Sequence, residues 1–452
     1  MKNRPHFTIP FLCLMGFLVA AFVQGLTHWV PARPLVGFYD AKRPVKLKVD
    51  TWLDGSYQDY LTDYARVHTG FREFLIRNYN QCCYFCFNKI TNDNVVCGKN
   101  DELYMKMYLD DVTGKRVKEY FKTADSAKAV AREHVQETLR LIDTLQRHGT
   151  QFLFVFAPSK VLTYPENLPD AYRDSLEHCD FLLSQYYIEQ FKAHGIDHID
   201  FTHYFKTLRD TFPYPLYTRY GSHWSEATIP LVADTLLRKL EAMTPYRFPD
   251  IQVLDENYST DYSEQDGELE ALMNLYFPVK KPAVSRPLFT LTDTLGKDKP
   301  NLLIVGDSYS IQLVNSCFAD AFNRWDFWQY NDNILSSREY LNWKKVPYYA
   351  KAYEMLEETD IVVAIVTSAY IYEYLWGFEQ TAFQLFAKGS LSREETIQLK
   401  INEIKNNPQW YERIVEQASE RNVSVEENLR NNAIYVLDAD KKKQEAYESQ
   451  QP

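Results

Sequence analysis

The chain has 452 residues, enough for one large α/β core with appendages or for two modest domains. Its net charge of −11 argues against a general nucleic-acid-binding surface, because such surfaces are basic. Aromatic residues are abundant, with 33 Tyr, 27 Phe and 8 Trp. This composition suits a surface that stacks on sugars, but it suits an aromatic-rich core equally well.

The N-terminus has the pattern of a membrane anchor. Lys2 and Arg4 precede an uncharged run from Phe7 to Leu26, about the twenty residues that a helix needs to cross a bilayer. No convincing cleavage site follows this run. We therefore interpret residues 1–30 as an uncleaved signal anchor with its N-terminus in the cytoplasm, and a cleaved signal is the alternative.

Residues 31–120 are predicted to form a stalk and an N-terminal helical region. Prolines mark the start of this segment, and apolar residues recur at helical spacing over residues 51–89. Two short strands joined by a turn are predicted near residues 95–104.

The seven cysteines include a C-x-x-C pair, Cys83 and Cys86, inside the predicted helical region. No second pair and no histidine lies at metal-ligand spacing, so we expect core packing for this cluster, no metal site and no cofactor. A disulfide between Cys97 and one member of the cluster stays open in an oxidising compartment.

Residues 121–385 are predicted to form the main domain. Its predicted elements are helices over residues 125–148 and 177–194 and buried strands over residues 152–156, 302–305 and 361–366. Alternation of helices and strands predicts an α/β fold with a doubly wound parallel sheet. Between these elements, residues 222–243 are predicted as a helix, and residues 248–300 are expected to be polar and irregular.

The C-terminal segment, residues 386–452, is predicted as a charged helical tail. Trp410 and Tyr411 are its expected apolar anchors, and the chain from Asp438 onward is expected to be disordered.

The most informative stretch is the Gly-Asp-Ser turn at residues 306–308, which directly follows the apolar run 302–305. Such a turn lifts a hydroxyl to the carboxyl edge of a parallel sheet, where open α/β folds place their sites. A nucleophilic serine needs a base, and all ten histidines lie at or before His223. Each signal is weak alone, but together they predict Ser308 as nucleophile and His223 as base. The backbone N–H groups of Ser308 and Tyr309 are the expected oxyanion donors.

Several motifs, in the same order, resemble the AlgX/AlgJ-like alginate O-acetyltransferase family of the SGNH hydrolase-like superfamily. They are G-F-R-E at 70–73, V-C-G-K-N-D at 96–101, A-P-S-K at 157–160, Y-P-E at 164–166, G-S-H-W-S at 221–225 and G-D-S-Y at 306–309. The histidine motif before the serine motif is the most diagnostic part, since ordinary SGNH esterases have their histidine after the serine.

The resemblance implies a function and a set of partners. It implies an O-acetyltransferase, anchored in the inner membrane with its main domain in the periplasm, that acetylates an exported polysaccharide. A membrane-bound O-acyltransferase would be the donor-side partner. The family's nucleophile and base correspond to Ser308 and His223.

The acid of the family's Ser-His-Asp triad has no counterpart here, because Gly221 occupies its position two residues before the histidine. Other carboxylates in the intervening loop are candidate replacements: Asp261, Asp266 and Glu268. The alternatives are a Ser-His dyad, a carbohydrate or lipid esterase using the same pair, or an inactive scaffold in an exopolysaccharide assembly complex.

Further side chains are expected to support the site. Asp307 corresponds to the family's turn residue and is expected to brace the serine loop. Trp224, Tyr309 and the aromatic stretch from Tyr370 to Trp376 are candidates for a wall that stacks on sugar. For the last stretch, packing of a helix on the sheet is the alternative.

Overall fold

The computed structural model describes residues 5–37, 45–337, 344–345 and 352–448. The α-helices are α1 (Pro5–Thr27), α2 (Val49–Leu53), α3 (Ser56–His68), α4 (Arg72–Phe87), α5 (Lys106–Val112), α6 (Lys115–Phe121), α7 (Ala124–Arg147), α8 (Lys160–Thr163), α9 (Asp170–Glu177), α10 (Leu183–His194), α11 (Phe201–Leu208), α12 (Ile229–Met243), α13 (Glu264–Leu272), α14 (Ser310–Val314), α15 (Ala352–Glu357), α16 (Phe378–Lys388), α17 (Arg393–Asn406), α18 (Pro408–Arg421) and α19 (Val425–Glu448). The strands are β1 (Val95–Cys97), β2 (Leu103–Met105), β3 (Gln151–Ala157), β4 (His198–Asp200), β5 (Asp250–Ser259), β6 (Val284–Thr292), β7 (Asn301–Gly306), β8 (Arg324–Gln329), β9 (Asn333–Ser336), β10 (Lys344–Lys345) and β11 (Ile361–Thr367).

The chain divides into two compact units. The first comprises Met1–Val96 and Glu268–Lys281, and the second comprises Cys97–Gly267 and Pro282–Pro452. The first unit is discontinuous in sequence, because a segment from the middle of the chain joins it. Polar side chains of α4 hold that segment through its backbone carbonyls, a long-range pairing that leaves no local sequence pattern.

The first unit contains α1, whose stretch Ile9–Thr27 has a mean hydropathy of 2.1. Among the described residues, it is the one helix long and apolar enough to cross a membrane. This agrees with the predicted N-terminal anchor in length and composition.

The second unit is built on a seven-stranded sheet with strand order β10-β9-β8-β7-β11-β3-β4. The five strands from β8 to β4 pair in parallel, while β9 and β10 add an antiparallel edge. Strand β11 is buried along its whole length, as its continuous run of apolar residues predicts. The α/β fold with a parallel-rich sheet is therefore confirmed.

Some local predictions were wrong. The helix expected over residues 222–243 starts only at Ile229, and a loop with a short 3₁₀ turn precedes it. Pro230 lies in its first turn, where a missing N–H costs nothing. The helix expected over residues 177–194 begins at Leu183.

The region 248–300, expected to be irregular, contains the antiparallel pair β5–β6 and the helix α13. β5 is largely exposed and β6 is mostly half-buried, and neither has the regular alternation of burial that marks a strand with one face in the core.

The C-terminal helices pack on one another through a small core of their own. Its members are Ile397, Ile401, Ile404, Ile414, Leu429, Ala433 and Leu437. The expected anchors are peripheral, since Trp410 is only partly buried and Tyr411 is exposed. The prediction that the chain is disordered from Asp438 onward is wrong as far as Glu448, because α19 continues to that residue.

The cysteines, all within described residues, are free thiols, so the disulfide left open for Cys97 does not form. Cys97 is half-buried, and burial raises the pKa of its thiol. Core packing holds for Cys83 but not for Cys82 and Cys86, which are exposed.

Candidate active site

The Gly-Asp-Ser turn begins where β7 ends, between the ends of β11 and β8. At Gly306 a Cβ atom would lie 2.7 Å from the carbonyl oxygen of Ile365 and 2.6 Å from Oγ of Ser310. Glycine is required here because β11 approaches the turn too closely for any side chain.

Asp307 braces the turn from within the protein and is fully buried. Its Oδ1 accepts a hydrogen bond from the Tyr309 amide at 3.1 Å, and its Oδ2 accepts one from the Thr367 amide at 2.8 Å. Burial raises the pKa of Asp307 to about 6, and the two N–H donors partly offset this effect. The carboxyl group thus ties the serine turn to the end of β11.

Ser308 and His223 are brought together from positions 85 residues apart. Nε2 of His223 lies 2.8 Å from Oγ of Ser308, and both side chains are partly exposed. Tyr309 supports the loop of residues 218–226 that carries His223, called the histidine loop below. Its hydroxyl donates a hydrogen bond to the Ser222 carbonyl, and its ring lies 4.8 Å from the imidazole.

Lys160 holds the histidine loop through hydrogen bonds to its backbone carbonyls. The sequence alone did not indicate this role. The ammonium group of Lys160 is buried and donates to the carbonyls of Thr218 at 2.7 Å and Arg219 at 2.8 Å. It also pairs with the Glu102 carboxylate at 2.6 Å. The A-P-S-K motif that carries this lysine was noted as a resemblance, but nothing local indicated its partners.

Gly221 has no space for a side chain. A Cβ atom there would lie 2.7 Å from the carbonyl oxygen of Gln265, 2.8 Å from Oγ1 of Thr218 and 3.0 Å from the carbonyl oxygen of Asp266. The backbone of residues 265–266 therefore occupies the volume that a carboxylate at position 221 would need.

The three candidate acids differ in their surroundings. Asp266 is 1% exposed, its carbonyl oxygen accepts a hydrogen bond from the Thr218 hydroxyl, and its Oδ1 accepts one from the Glu226 amide at 3.3 Å. Asp261 is exposed, and Glu268 belongs to the first unit. Asp266 therefore contacts the histidine loop on both sides of His223.

The expected pair of oxyanion donors needs correction. The Tyr309 amide donates to Asp307 and so does not face a substrate. Among the described residues, no group accepts a hydrogen bond from the Ser308 amide.

The expected aromatic wall also changes. Trp224 and Tyr309 are 0% and 1% exposed, so they pack inside the protein and cannot stack on a sugar. Tyr370 and Trp376 are partly exposed, and each ring lies 5.3 Å from the ring of Tyr330.

Tyr330 is a second residue that the sequence alone did not indicate. It directly follows β8 in the left-handed region, with φ 54°, and its amide donates to the Gly306 carbonyl at 2.9 Å. Its hydroxyl interacts with the side chains of Ser308 and Tyr370, while burial raises the pKa of Tyr330. Tyr330 directly follows β8, which is a neighbour of β7, and so lies at the sheet edge that holds Ser308. This position is the signal that could have identified it.

One family model and several solved structures resemble this chain. Residues 116–338 match the family model described as SGNH hydrolase-like domain, acetyltransferase AlgX. The O-acetyltransferase domain of Pseudomonas putida AlgJ is 15% identical, with 64% of this chain and 99% of that chain covered and a TM-score of 0.39. Pseudomonas aeruginosa AlgX is 16% identical, with coverage of 66% and 60% and a TM-score of 0.36. Bacillus cereus PatB1 with a sulfonyl adduct is 12% identical, with coverage of 54% and 90% and a TM-score of 0.35. A search of curated proteins finds no match.

Proposed function

Because residues 116–338 match the family model described as SGNH hydrolase-like domain, acetyltransferase AlgX, we propose that the protein transfers an acetyl group to a hydroxyl of a cell-surface polysaccharide. The observation that carries the proposal is the 2.8 Å contact between Ser308 Oγ and His223 Nε2. A serine hydroxyl in contact with an imidazole is the arrangement needed for nucleophilic acyl transfer.

The reaction proceeds in two steps through an acetyl ester on Ser308. His223 takes the proton from Oγ as it attacks the acetyl carbonyl, and the imidazolium then returns that proton to the leaving group. In the second step His223 takes the proton of a sugar hydroxyl as the sugar oxygen attacks the ester. The C–O bond to Ser308 then breaks, and the imidazolium gives that proton to Oγ of Ser308. Both steps place negative charge on the carbonyl oxygen.

The Ser308 amide and the Tyr330 hydroxyl are the donors proposed for this charge. The amide has no competing acceptor among the described residues, and the hydroxyl lies beside Ser308. Removing one such donor typically lowers kcat by about 10²–10³-fold.

Asp266 is proposed to replace the family's missing acid. It is buried, it carries a carboxylate next to the histidine loop, and its backbone occupies the space that Gly221 leaves open. A carboxylate in this place would fix the tautomer of His223 and stabilise the imidazolium.

The rings of Tyr330, Tyr370 and Trp376 are proposed to bind the acceptor sugar. They are only partly buried and follow strands whose carboxyl ends adjoin that of β7. Aromatic rings at this place would bind the apolar face of a sugar and displace water, which favours transfer over hydrolysis.

We propose that α1 anchors the chain in the inner membrane and that the catalytic domain lies in the periplasm. Acetyl groups are activated inside the cell. A membrane-bound O-acyltransferase is therefore the proposed partner that delivers them.

The test uses the full chain in detergent with a chromogenic acetyl ester and a set of neutral and acidic oligosaccharides. We expect acetylated oligosaccharide by mass spectrometry, an acetyl adduct on the peptide containing Ser308, and loss of both in Ser308→Ala. Ser310→Ala, two residues along the chain, is the matched control and should keep activity. Acetate release that ignores the sugar would indicate an esterase, and no adduct on Ser308 would favour the scaffold.

A further inference from the structure

Helix α4 has its polar side inside and its apolar side outside, the reverse of a helix on a water-soluble surface. Arg77 and Asn80 are 5% and 8% exposed. The exposed side chains of α4 are those of Phe74, Leu75, Asn78, Tyr79, Cys82, Phe85, Cys86 and Phe87. Asn78 is the one amide among them. No charged side chain is among the exposed positions of α4. A buried arginine beneath an exposed apolar face is unusual in water.

The inward polar side has a structural cause. Arg77 donates to the carbonyls of Leu275 at 3.1 Å and Pro34 at 2.7 Å, and Asn80 donates to the carbonyl of Met273 at 2.9 Å. These side chains satisfy carbonyls of irregular backbone that would otherwise lack partners. The orientation of α4 is therefore fixed, and its apolar side must face outward.

The apolar face continues beyond α4. The ring of Phe74 contacts that of Tyr276 edge-on at 5.8 Å, and Tyr276 contacts Phe277 at 4.9 Å. Phe277 is exposed, as are Trp52 and Leu53 in the same unit. An exposed apolar patch of this extent indicates a partner rather than bulk water.

Helix α1, proposed above as the membrane anchor, lies directly against the start of α4. The Gly70 amide donates to the carbonyl of Ala21 at 3.2 Å, and a Cβ atom on Gly70 would lie 2.2 Å from that oxygen. On the other side, a Cβ atom on Gly25 would lie 2.5 Å from the carbonyl oxygen of His68. Ala21 precedes the helix end at Thr27 by roughly 9 Å of helix, at 1.5 Å per residue. The α3–α4 corner is thus joined to α1 within its apolar span.

From this geometry we propose that α4 lies in the lipid–water interface of the membrane that α1 crosses, with its exposed apolar face against lipid acyl chains. The close contact between Gly70 and α1 fixes its depth, and the uncharged outer face matches that environment. Tyr79 and Tyr276 are residues that membrane interfaces favour, and exposed Lys89, just beyond α4, can extend to the headgroups. The proposal concerns placement only and does not depend on acetyl transfer.

The native thiols Cys82 and Cys86 make the proposal testable in the full chain. The protein is reconstituted into lipid-only vesicles and treated with a charged, membrane-impermeant maleimide or with uncharged N-ethylmaleimide, and each cysteine is read by peptide mass spectrometry. Glu420→Cys, at an exposed charged position in the same molecule, is the reference for water.

We expect Cys86 to react with the charged reagent at least about tenfold more slowly than the cysteine at position 420, and with the uncharged reagent at a comparable rate. A fluorophore at Cys86 should be quenched by nitroxide lipids at about 5–10 Å below the headgroups. Equal reaction of both sites with the charged reagent, without quenching, would overturn the proposal. Protection in native membranes but not in lipid vesicles would also overturn it, since a protein partner would then cover the face.

A pair of variants separates lipid contact from folding. Phe85→Glu places a charge on the outer face and leaves the inward contacts of Arg77 and Asn80 intact, while Phe85→Leu keeps the face apolar. The Glu variant should raise the reaction of Cys86 with the charged reagent about tenfold, and the Leu variant should not. Identical protection in both variants would contradict lipid contact.

Discussion

At the scale of single residues, the backbone around Gly221 decides where the acid of the site can come from. Two carbonyl oxygens, of Gln265 and Asp266, lie within 3.0 Å of the position that a Cβ atom would take. Gly221→Asp would force this backbone apart and place a carboxylate against carbonyl oxygens. Restoring the family motif should therefore damage the loop instead of improving catalysis, and the informative change is at Asp266.

Asp266→Asn should lower kcat by about 10²–10⁴-fold, since a comparable Asp to Asn change in a serine protease triad costs about 10⁴. The amide oxygen can still accept the Glu226 N–H that Oδ1 accepts now, so the loop keeps its shape. The measurements are the kinetics of oligosaccharide acetylation and the thermal midpoint. A lower kcat with an unchanged midpoint would show that the charge of Asp266 is needed for catalysis and that the fold is intact.

Asp261→Asn is the matched control for this change, because Asp261 is exposed and should tolerate it. Full activity of Asp266→Asn would assign Asp266 a structural role only. Loss of activity in Glu268→Gln instead would move the acid to that residue.

Tyr330→Phe should lower kcat for acetylation by about 10²-fold or more, with little change in KM. The phenyl ring keeps its contacts with Tyr370 and Trp376, but the hydroxyl beside Ser308 is lost. Tyr353→Phe, which removes a hydroxyl paired with exposed Glu357, should leave the rate unchanged. A rise in KM alone would indicate that Tyr330 only binds the sugar.

Sequence predicted the proposed nucleophile and base but not the residues that hold them. Ser308 and His223 stand out because strand and turn chemistry is local, so their contact could be anticipated. Tyr330 and Lys160 were missed because their importance depends on which strands are neighbours and on carbonyls about sixty residues away. Pairing across the fold cannot be read from a single chain segment.

At the scale of elements, the short helix α8 fixes the histidine loop through Lys160. Its buried ammonium group bonds the carbonyls of Thr218 and Arg219 and the carboxylate of Glu102. Replacing it leaves a largely buried carboxylate and several carbonyls without a donor. The loop that carries His223 then loses its support.

Lys160→Met should cost about 3–5 kcal/mol of unfolding free energy, the range for breaking a buried ion pair. It should also reduce acetyl transfer by displacing His223. Lys99→Met removes an exposed pair with Asp170 and should cost less than about 1 kcal/mol. Urea unfolding of both variants checks this difference, and equal midpoints would show that Lys160 contributes no more than a surface lysine.

The elements predicted well were those with strong local patterns. Strands β3, β7 and β11 are continuous apolar runs, and α7 has a regular amphipathic pattern that ends just before Gly149. The β5–β6 pair was missed because its strands, exposed in β5 and mostly half-buried in β6, mix polar and apolar side chains. The core of the C-terminal helices was missed because isoleucines, not aromatic residues, form most of it.

At the scale of the whole molecule, a buried acid in the catalytic unit links folding to pH. Glu379, at the start of α16, is 2% exposed, and burial raises its pKa to about 8. The nearby Glu137 adds to this rise. The folded protein therefore keeps Glu379 protonated at neutral pH, whereas the unfolded chain ionises it at about 4.5.

The direction of the pH effect follows from proton binding. Between pH 4.5 and about 8 the folded state holds a proton that the unfolded state has released, so stability falls as pH rises through this window. Below pH 4.5 Glu379 imposes no penalty, and above pH 8 the full penalty is present, on the order of 5 kcal/mol for a shift of this size.

Glu379→Gln should remove this pH dependence, because the amide is neutral in both states and has nearly the same volume. The variant should match the wild type in thermal midpoint near pH 4.5 and exceed it increasingly up to about pH 8. The matched control is Glu354→Gln on α15, where the glutamate is exposed to solvent in the folded protein. The thermal midpoint of this variant should follow that of the wild type at every pH. Parallel curves for wild type and Glu379→Gln would mean that Glu379 is already ionised when folded, with a charge partner supplied by local rearrangement.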